Sequence, residues 1–561
     1  MPEPRSWFTL PAAAAALYLA LALHAAHVET PTADEFAHVP AGVAAWREGR
    51  TDLYRSNPPL FKLLLAAPVA LDSSVVAPPA YEPPMAWGPW DYAHRFMNAN
   101  RDRYLALMAR ARVAAVLCGL AAGALVFAWA RELAGLRAAA VTASVFLLDP
   151  NVLAHGHLAT IDMAALATVL LAAYVLRRAL RRPGWLRILS AGAALGLALA
   201  VKFVALLLLP AFAVLVLARR LRAEGSLGRR VARAGAELLE LGGAALLVVI
   251  ASVAFQGSFA PLGALPFRSD FALGLQSGLP GRLPVPLPRE YVLGFDAAKK
   301  MQERGEFGSY LLGRWSEHGF WYYNLVALGV KLPLATLVLL ALAAAAWRRA
   351  RLGAGELLAI AVPAATLLAV FASASNLNIG LRHVLPVLPF LYLLIAPLFR
   401  ATGDRRRARA SAALAAAVLA IALRTAIALH PDTLTFFNAI AGGPARGGDW
   451  LLDSNLDWGQ DLYRVPEAVA AIDPDAPLYL LYWGHVDPAL YGLRYQLLPS
   501  HPVEGVVAVS ENFLRGHAYL TVAPDGSMIG VTGDNAAWLR GREPVARLGS
   551  IRVYDTRARR P

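Results

Sequence analysis

WLRILSAGAALGLALAVKFVALLLLPAFAVLVLA, residues Trp185–Ala218, is the stretch on which the fold turns. It is 34 residues long and nearly all apolar, with Lys202 at its middle. Arginines crowd both of its ends: Arg177, Arg178, Arg181, Arg182 and Arg187 at the start, and Arg219, Arg220, Arg222, Arg229, Arg230 and Arg233 after it. Short loops rich in arginine stay on the cytoplasmic side of a membrane. Both ends of the stretch therefore lie inside, so it rises and returns as two short helices with the turn near Lys202 at the outer end. A lysine at the centre of a span costs about 2.5–3.5 kcal/mol on insertion scales. Two readings of Lys202 stay open: a side chain snorkelling to the interface, or a cation facing an anionic ligand at the outer surface.

The rest of the chain has the same character. Of its 561 residues 57% are hydrophobic and 16% charged, and the mean hydropathy is +0.47. A soluble domain carries about 25% charged residues, so this chain has too few to clothe a water-facing surface of its size. A large buried helical core would show amphipathic stripes rather than segments apolar all round. The net charge of +14 does not mark a nucleic-acid binder. The basic residues sit in short clusters between apolar blocks, the remaining ones being Arg348, Arg349 and Arg351, and Arg400, Arg405, Arg406, Arg407 and Arg409. The single cysteine, Cys118, lies in an apolar block, so no disulfide within the chain is available.

Apolar blocks read against basic loops give about eleven spans, near 7–27, 104–130, 138–149, 158–176, 187–201, 203–218, 237–256, 323–347, 356–372, 382–399 and 411–429. The run from Trp7 to Ala26 is long for a cleaved signal and is read as the first span. With the N-terminus inside, every arginine cluster is cytoplasmic and three larger segments lie outside: 28–103, 257–322 and 430–561. Residues 34–49 place Phe36, Val43 and Trp46 near helical spacing, as in a helix lying in the interface plane. The tail has short strand-like runs at Leu478–Trp483, Val506–Val509 and Ile551–Tyr554. The expected fold is mainly α, with a polytopic membrane domain over 1–429 and a small extracytoplasmic α/β domain over 430–561. No internal repeat and no nucleotide-binding glycine motif is visible.

Chemistry-bearing residues gather on the outer side. Asp34 and Glu35 follow the first span; an ionised carboxylate there can take a proton from an acceptor hydroxyl. Thr32 to Glu35 also reads as a helix start, so capping is the competing role. On a helix, His38 shares a face with Asp34 and Glu35, ligand types that leave a divalent metal open at this spot. Further on, Asn57-Pro58-Pro59-Leu60-Phe61-Lys62 reads as a fixed turn leading into a helix. In the tail, Asp453-Ser454-Asn455-Leu456-Asp457-Trp458-Gly459-Gln460-Asp461 is a dense polar run. It is either a sugar site, with Trp458 stacking on a pyranose ring, or a turn of local Asx hydrogen bonds.

Taken in order, these features resemble glycosyltransferase family 39, the protein O-mannosyltransferase and aminoarabinose transferase group with the GT-C membrane fold. The resemblance rests on Asp34-Glu35 with the Pro-Pro-Leu turn, and on Ala159-Thr160-Ile161-Asp162-Met163 preceded by His155 and His157. It continues through Gly196 to Lys202-Phe203, and through Asn376-Leu377-Asn378-Ile379-Gly380-Leu381-Arg382-His383. It implies an inverting transfer, at the outer face of a bacterial-type inner membrane, of a sugar from a polyprenyl-phosphate donor to a lipid, glycan or protein acceptor. Asp34 would act as base with Glu35 and His38 orienting it or binding a metal. Lys202 and Arg382, with His383 beside it, would meet the lipid phosphate, and Asp162 would bind the acceptor, the sugar or a metal. Asn57 stands where aminoarabinose transferases carry a basic residue, which puts one phosphate contact in question. The tail does not resemble the β-trefoil of eukaryotic O-mannosyltransferases. The alternative is a transporter or flippase for a lipid-linked or anionic substrate, but paired repeats and midplane polar residues in broken helices are not apparent.

Overall fold

A computed structural model describes residues 5–79, 88–182, 184–304, 308–346, 352–373 and 378–557. Arg348, Arg349, Arg351, Asn376 and Leu377, named above, lie outside the described residues. The chain is a bundle of apolar helices carrying one small mixed sheet near its C-terminal end.

Seven helices among the described residues are long and apolar enough to cross a membrane: Thr9–Val28, Arg101–Ala134, Asp162–Arg181, Phe203–Leu221, Leu227–Ala251, Ala354–Ala372 and Arg405–Leu429. Two bent pairs raise the number to nine: Leu136–Leu147 with Pro150–Gly156, bent by 60°, and Tyr323–Lys331 with Leu334–Ala345, bent by 110°. Asp149-Pro150 and Leu332-Pro333 mark the bends, where proline removes a helical N–H. The eleven expected segments include two more, Trp185–Val201 and Leu385–Phe399. Both are shorter than the roughly 20 residues of a straight crossing, so length and composition alone show seven to nine spans and do not confirm eleven.

The stretch Trp185–Ala218 turns at Lys202. The helix Trp185–Val201 ends there, Lys202 is extended, and a short 3-10 turn, Phe203–Leu207, leads into Leu208–Leu221. The first arm is held by its glycines. A Cβ on Gly192 would lie 2.4 Å from the Leu241 carbonyl oxygen, and one on Gly196 would lie 2.5 Å from that of Ala245. Small residues four apart let two backbones approach closely, which is how helices associate without a hydrophobic drive between them. Here the partner is Leu227–Ala251.

Residues 34–49 form a helix, Ala33–Glu48, but it is packed rather than laid on an interface. Phe36 and Val43 are fully buried, and the C-terminal end, with Trp46, is exposed. The helix Leu60–Ala70 follows the proline turn. In the second outer segment, Arg289–Arg304 is tied to the bundle by Arg55 to Glu290 at 2.5 Å and by the Tyr291 hydroxyl to the Leu199 carbonyl at 3.2 Å.

The C-terminal sheet runs in the order Ala546–Leu548, Ile551–Asp555, Val506–Ser510, Leu478–Leu481, Gln496–Leu497. Its first two pairings are antiparallel and its last two parallel. Val506–Ser510, at its centre, is buried along its whole length, as a strand covered on both faces should be. A separate hairpin, Tyr519–Val522 with Met528–Val531, stands beside it.

Candidate active site

Two partly buried carboxylate–cation pairs lie close together. The Asp34 carboxylate meets the Arg382 guanidinium, and the Asp162 carboxylate meets the Lys202 ammonium. Arg382 also lies within Coulomb range of Asp162, so the two pairs share one field. Each member comes from a different element end. Asp34 is in the first turn of Ala33–Glu48, where a carboxylate suits the positive end of the helix dipole. Asp162 opens Asp162–Arg181, with the Thr160 hydroxyl donating to its other oxygen at 3.1 Å. Lys202 is at the turn already described, and Arg382 is in the 3-10 turn Leu381–His383.

The polar run at 453–461 holds these ends in place. The Thr30 amide donates to the Gln460 carbonyl at 3.0 Å and the Ala33 amide to that of Trp458 at 3.1 Å, fixing the start of the helix that bears Asp34. The Asn455 side chain accepts from the Leu381 amide at 2.9 Å, fixing the turn that bears Arg382. Gly380 allows this approach, since a Cβ there would lie 2.2 Å from the Ser454 hydroxyl oxygen. Of the two readings of this run, the turn with local Asx hydrogen bonds is present: the Ser454 amide donates to the Asp453 carboxylate and the Gly459 amide to that of Asp457. Trp458 is buried with the Arg382 guanidinium 4.4 Å over its ring, a cation–π contact. Arg382 is thus held between Asp34 and Trp458.

Glu35 is placed differently from its neighbour. It is fully buried, paired to Arg112 through both oxygens at 2.7 and 2.8 Å, and it accepts from the Ala159 amide at 2.6 Å and the Thr32 amide at 2.8 Å. Burial would raise its carboxyl, but the Arg112 charge and these bonds outweigh it and hold Glu35 below the usual range. The capping role therefore occupies Glu35 and leaves Asp34 facing the cations. His38 is also buried, stacked on Tyr54 with ring centres 5.0 Å apart, and burial pulls its imidazole down to about 4. Among the described residues no three His, Cys, Asp or Glu side chains are grouped to hold a metal ion. The Asp34–Glu35–His38 triplet does not form one because Glu35 turns to Arg112 and His38 to Tyr54.

Asn57 contributes its main-chain carbonyl, which accepts from the Lys62 ammonium at 2.8 Å. Lys62 is a cation that the turn motif contains but sequence reading gave no role. It also donates to the Tyr54 carbonyl, and burial draws it down to about 7. His383 lies beside Arg382, its ring 6.0 Å from Phe371. Asp453 approaches from the C-terminal side in a left-handed conformation, φ 58°, within reach of Arg382 and Asp34. Burial raises its carboxyl to about 6.

Residues 106–253 match the sequence family described as dolichyl-phosphate-mannose-protein mannosyltransferase. That segment contains Asp162 and Lys202; Asp34 and Arg382 lie to either side of it. No curated protein matches significantly. Among solved structures, the chain is similar to ArnT from Cupriavidus metallidurans bound to undecaprenyl phosphate, with 15% identity over 96% of this chain and 99% of that one and a TM-score of 0.44. It is also similar to the Archaeoglobus fulgidus oligosaccharyltransferase in complex with Zn and sulfate, with 11% identity over 93% of this chain and 73% of that one and a TM-score of 0.45. A third similarity is to AglB from Archaeoglobus fulgidus with an inhibitory peptide and a dolichol-phosphate, with 11% identity over 95% of this chain and 74% of that one and a TM-score of 0.39. The family match is confined to residues 106–253, about a quarter of the 561-residue chain, and it carries two of the four paired side chains, Asp162 and Lys202.

Proposed function

We propose that the protein transfers a sugar from a polyprenyl-phosphate donor to an acceptor hydroxyl at the extracytoplasmic face of a bacterial-type inner membrane, with Asp34 as general base and Lys202 and Arg382 as the phosphate-binding cations. The observation that carries this reading is the adjacency of the Asp34–Arg382 and Asp162–Lys202 pairs at the ends of their elements. Two cations beside each other suit a phosphate leaving group, and a guanidinium can bind one through two N–H groups. In the resting state both cations are occupied by carboxylates. A donor phosphate competing for Arg382 releases Asp34, so donor binding uncovers the base at the moment an acceptor is needed.

The acceptor hydroxyl oxygen then attacks the anomeric carbon, whose bond to the phosphate oxygen breaks. The hydroxyl proton passes to Asp34, and the electron pair leaves on the polyprenyl phosphate, whose charge Lys202 and Arg382 stabilise. This single displacement inverts the anomeric centre. Asp162 positions Lys202, and Glu35 positions the helix bearing Asp34. The test is polyprenyl-phosphate binding to the purified protein in nanodiscs. Lys202→Met and Arg382→Met should each weaken it by about tenfold or more, the scale of a lost charge-assisted hydrogen bond. Unchanged affinity in both variants would remove these cations from the phosphate site.

A further inference from the structure

We propose that Trp90, His485 and Tyr519 form a binding site for an uncharged pyranose ring of the acceptor. This rests on the transferase reading above and names the substrate class that reading leaves open. His485 neighbours both of the other rings, with centres 6.1 Å from Trp90 and 6.2 Å from Tyr519. Trp90 and Tyr519 are half-buried, so each keeps part of its surface open, while His485 is 1% exposed. The three come from separate places: the helix Gly88–Ala99 of the first outer segment, the loop after the strand Leu478–Leu481, and the hairpin strand Tyr519–Val522.

The group adjoins the proposed catalytic centre. Tyr519 and Tyr54 are both within Coulomb range of Asp34, and Tyr54 lies 5.4 Å from Trp90. Phe36, two residues after Asp34 on the same helix, stacks on His485 at 5.5 Å. A ring held at this group therefore sits next to the base.

Packing alone does not explain the residue types. Among the described residues, both ring nitrogens of His485 lack a protein partner, and so does the Trp483 indole nitrogen, whose ring stacks on Tyr519 at 5.0 Å. A buried polar atom left unpartnered costs about 1–3 kcal/mol, and phenylalanine or leucine would fill the same volume without that penalty. Aromatic surfaces with a few unpaired N–H and N groups are the composition of a site for a ligand with apolar faces and hydroxyl edges. Burial pulls the His485 imidazole down to about 3, so at neutral pH it is uncharged and can both donate and accept. Charged groups at the border are paired, Arg101 with Asp487 at 2.7 Å and Arg95 with Asp91 at 3.3 Å. Asp34, Asp453 and Arg382 lie within Coulomb range of Tyr519, and the two carboxylates there favour a neutral acceptor over an anionic one.

The test is saturation-transfer NMR on the full-length protein in phosphatidylcholine nanodiscs, without donor. One arm uses soluble cellotetraose, maltotetraose and mannotetraose; a second uses a diglucosyl diacylglycerol in the bilayer, which separates free glycan from lipid headgroup. Saturation of ring protons by at least one of these neutral glycans is expected, lost about tenfold in Tyr519→Ala and His485→Leu and kept in Tyr519→Phe, which preserves the ring. Polyprenyl-phosphate binding, measured in parallel, should be unchanged in all three variants, which shows them to be folded. No transfer from any glycan, or transfer that persists in Tyr519→Ala and His485→Leu, would overturn the proposal, as would displacement of the glycan by a serine- and threonine-containing peptide. None of these results bears on Lys202→Met, so the phosphate assignment fails or stands separately.

Discussion

Asp34 and Glu35 are adjacent carboxylates with opposite fates. Glu35 satisfies Arg112, Thr32 and Ala159 in the interior, whereas Asp34 has one ion-pair partner that a phosphate can take from it. Glu35→Gln should destabilise the protein by about 3–5 kcal/mol, the cost of leaving a buried guanidinium unpaired, and replacing both Glu35 and Arg112 with apolar residues should cost less. Chemical unfolding of the two variants checks this. Asp453 gives a pH signature. Its folded carboxyl is raised to about 6 by burial, against about 4 in an unfolded chain. The stability it contributes is therefore complete below about pH 4 and lost as pH rises through about 6. Asp453→Asn should flatten the fall in thermal midpoint across that window; an unchanged pH profile would place the ionisation elsewhere. At this scale the sequence disclosed residue types well and partners poorly. Lys202 stood out as a lone charge in an apolar block, Asp34 as half of a carboxylate pair after the first span, and Asp162 and Arg382 only through the resemblance; the structure brings the four together. Arg112 was hidden within a span, and the role of Trp458 beneath Arg382 depends on a contact between residues far apart in the chain.

Among the elements, the paired arms around Lys202 set the geometry of the cation. The approach of Gly192 and Gly196 to Leu227–Ala251 leaves no room for a side chain. Gly196→Leu should part the helices, move Lys202 from Asp162 and reduce polyprenyl-phosphate binding. Gly243→Leu, on the partner helix where a Cβ meets nothing within 4 Å, should not. Equal binding in the two variants would contradict the packing account. The turn at Lys202 could be read from charge alone, because arginines on both flanks force an even number of crossings. The bends at Asp149-Pro150 and Leu332-Pro333 were not, since a proline in an apolar run fits a kink, a break or a helix start equally well. The first outer helix was read from periodicity, but its burial depends on Leu60–Ala70 and Gly88–Ala99 packing on it, which periodicity does not contain.

At the level of the whole molecule, the account requires that Asp34, Lys202 and Arg382 share the face opposite the arginine loops. Cys118 is the sole cysteine and is largely buried by its surroundings, so it can be replaced to give a background for labelling. In intact cells, an impermeant maleimide should label Ser277→Cys in the second outer segment and spare Glu224→Cys in the arginine loop. The reverse pattern would invert the topology. Sidedness is an expectation from loop charge alone, and this labelling is what tests it. The convergence of the first outer segment, the late turn and the C-terminal run on one site was legible only as order along the chain.

The most direct measurement compares turnover and donor affinity in Asp34→Asn. If Asp34 is both the base and the resting partner of Arg382, sugar transfer should be abolished while polyprenyl-phosphate binding becomes tighter, since Arg382 has lost its competitor. Transfer retained in Asp34→Asn, or donor binding lost together with transfer, would contradict the account.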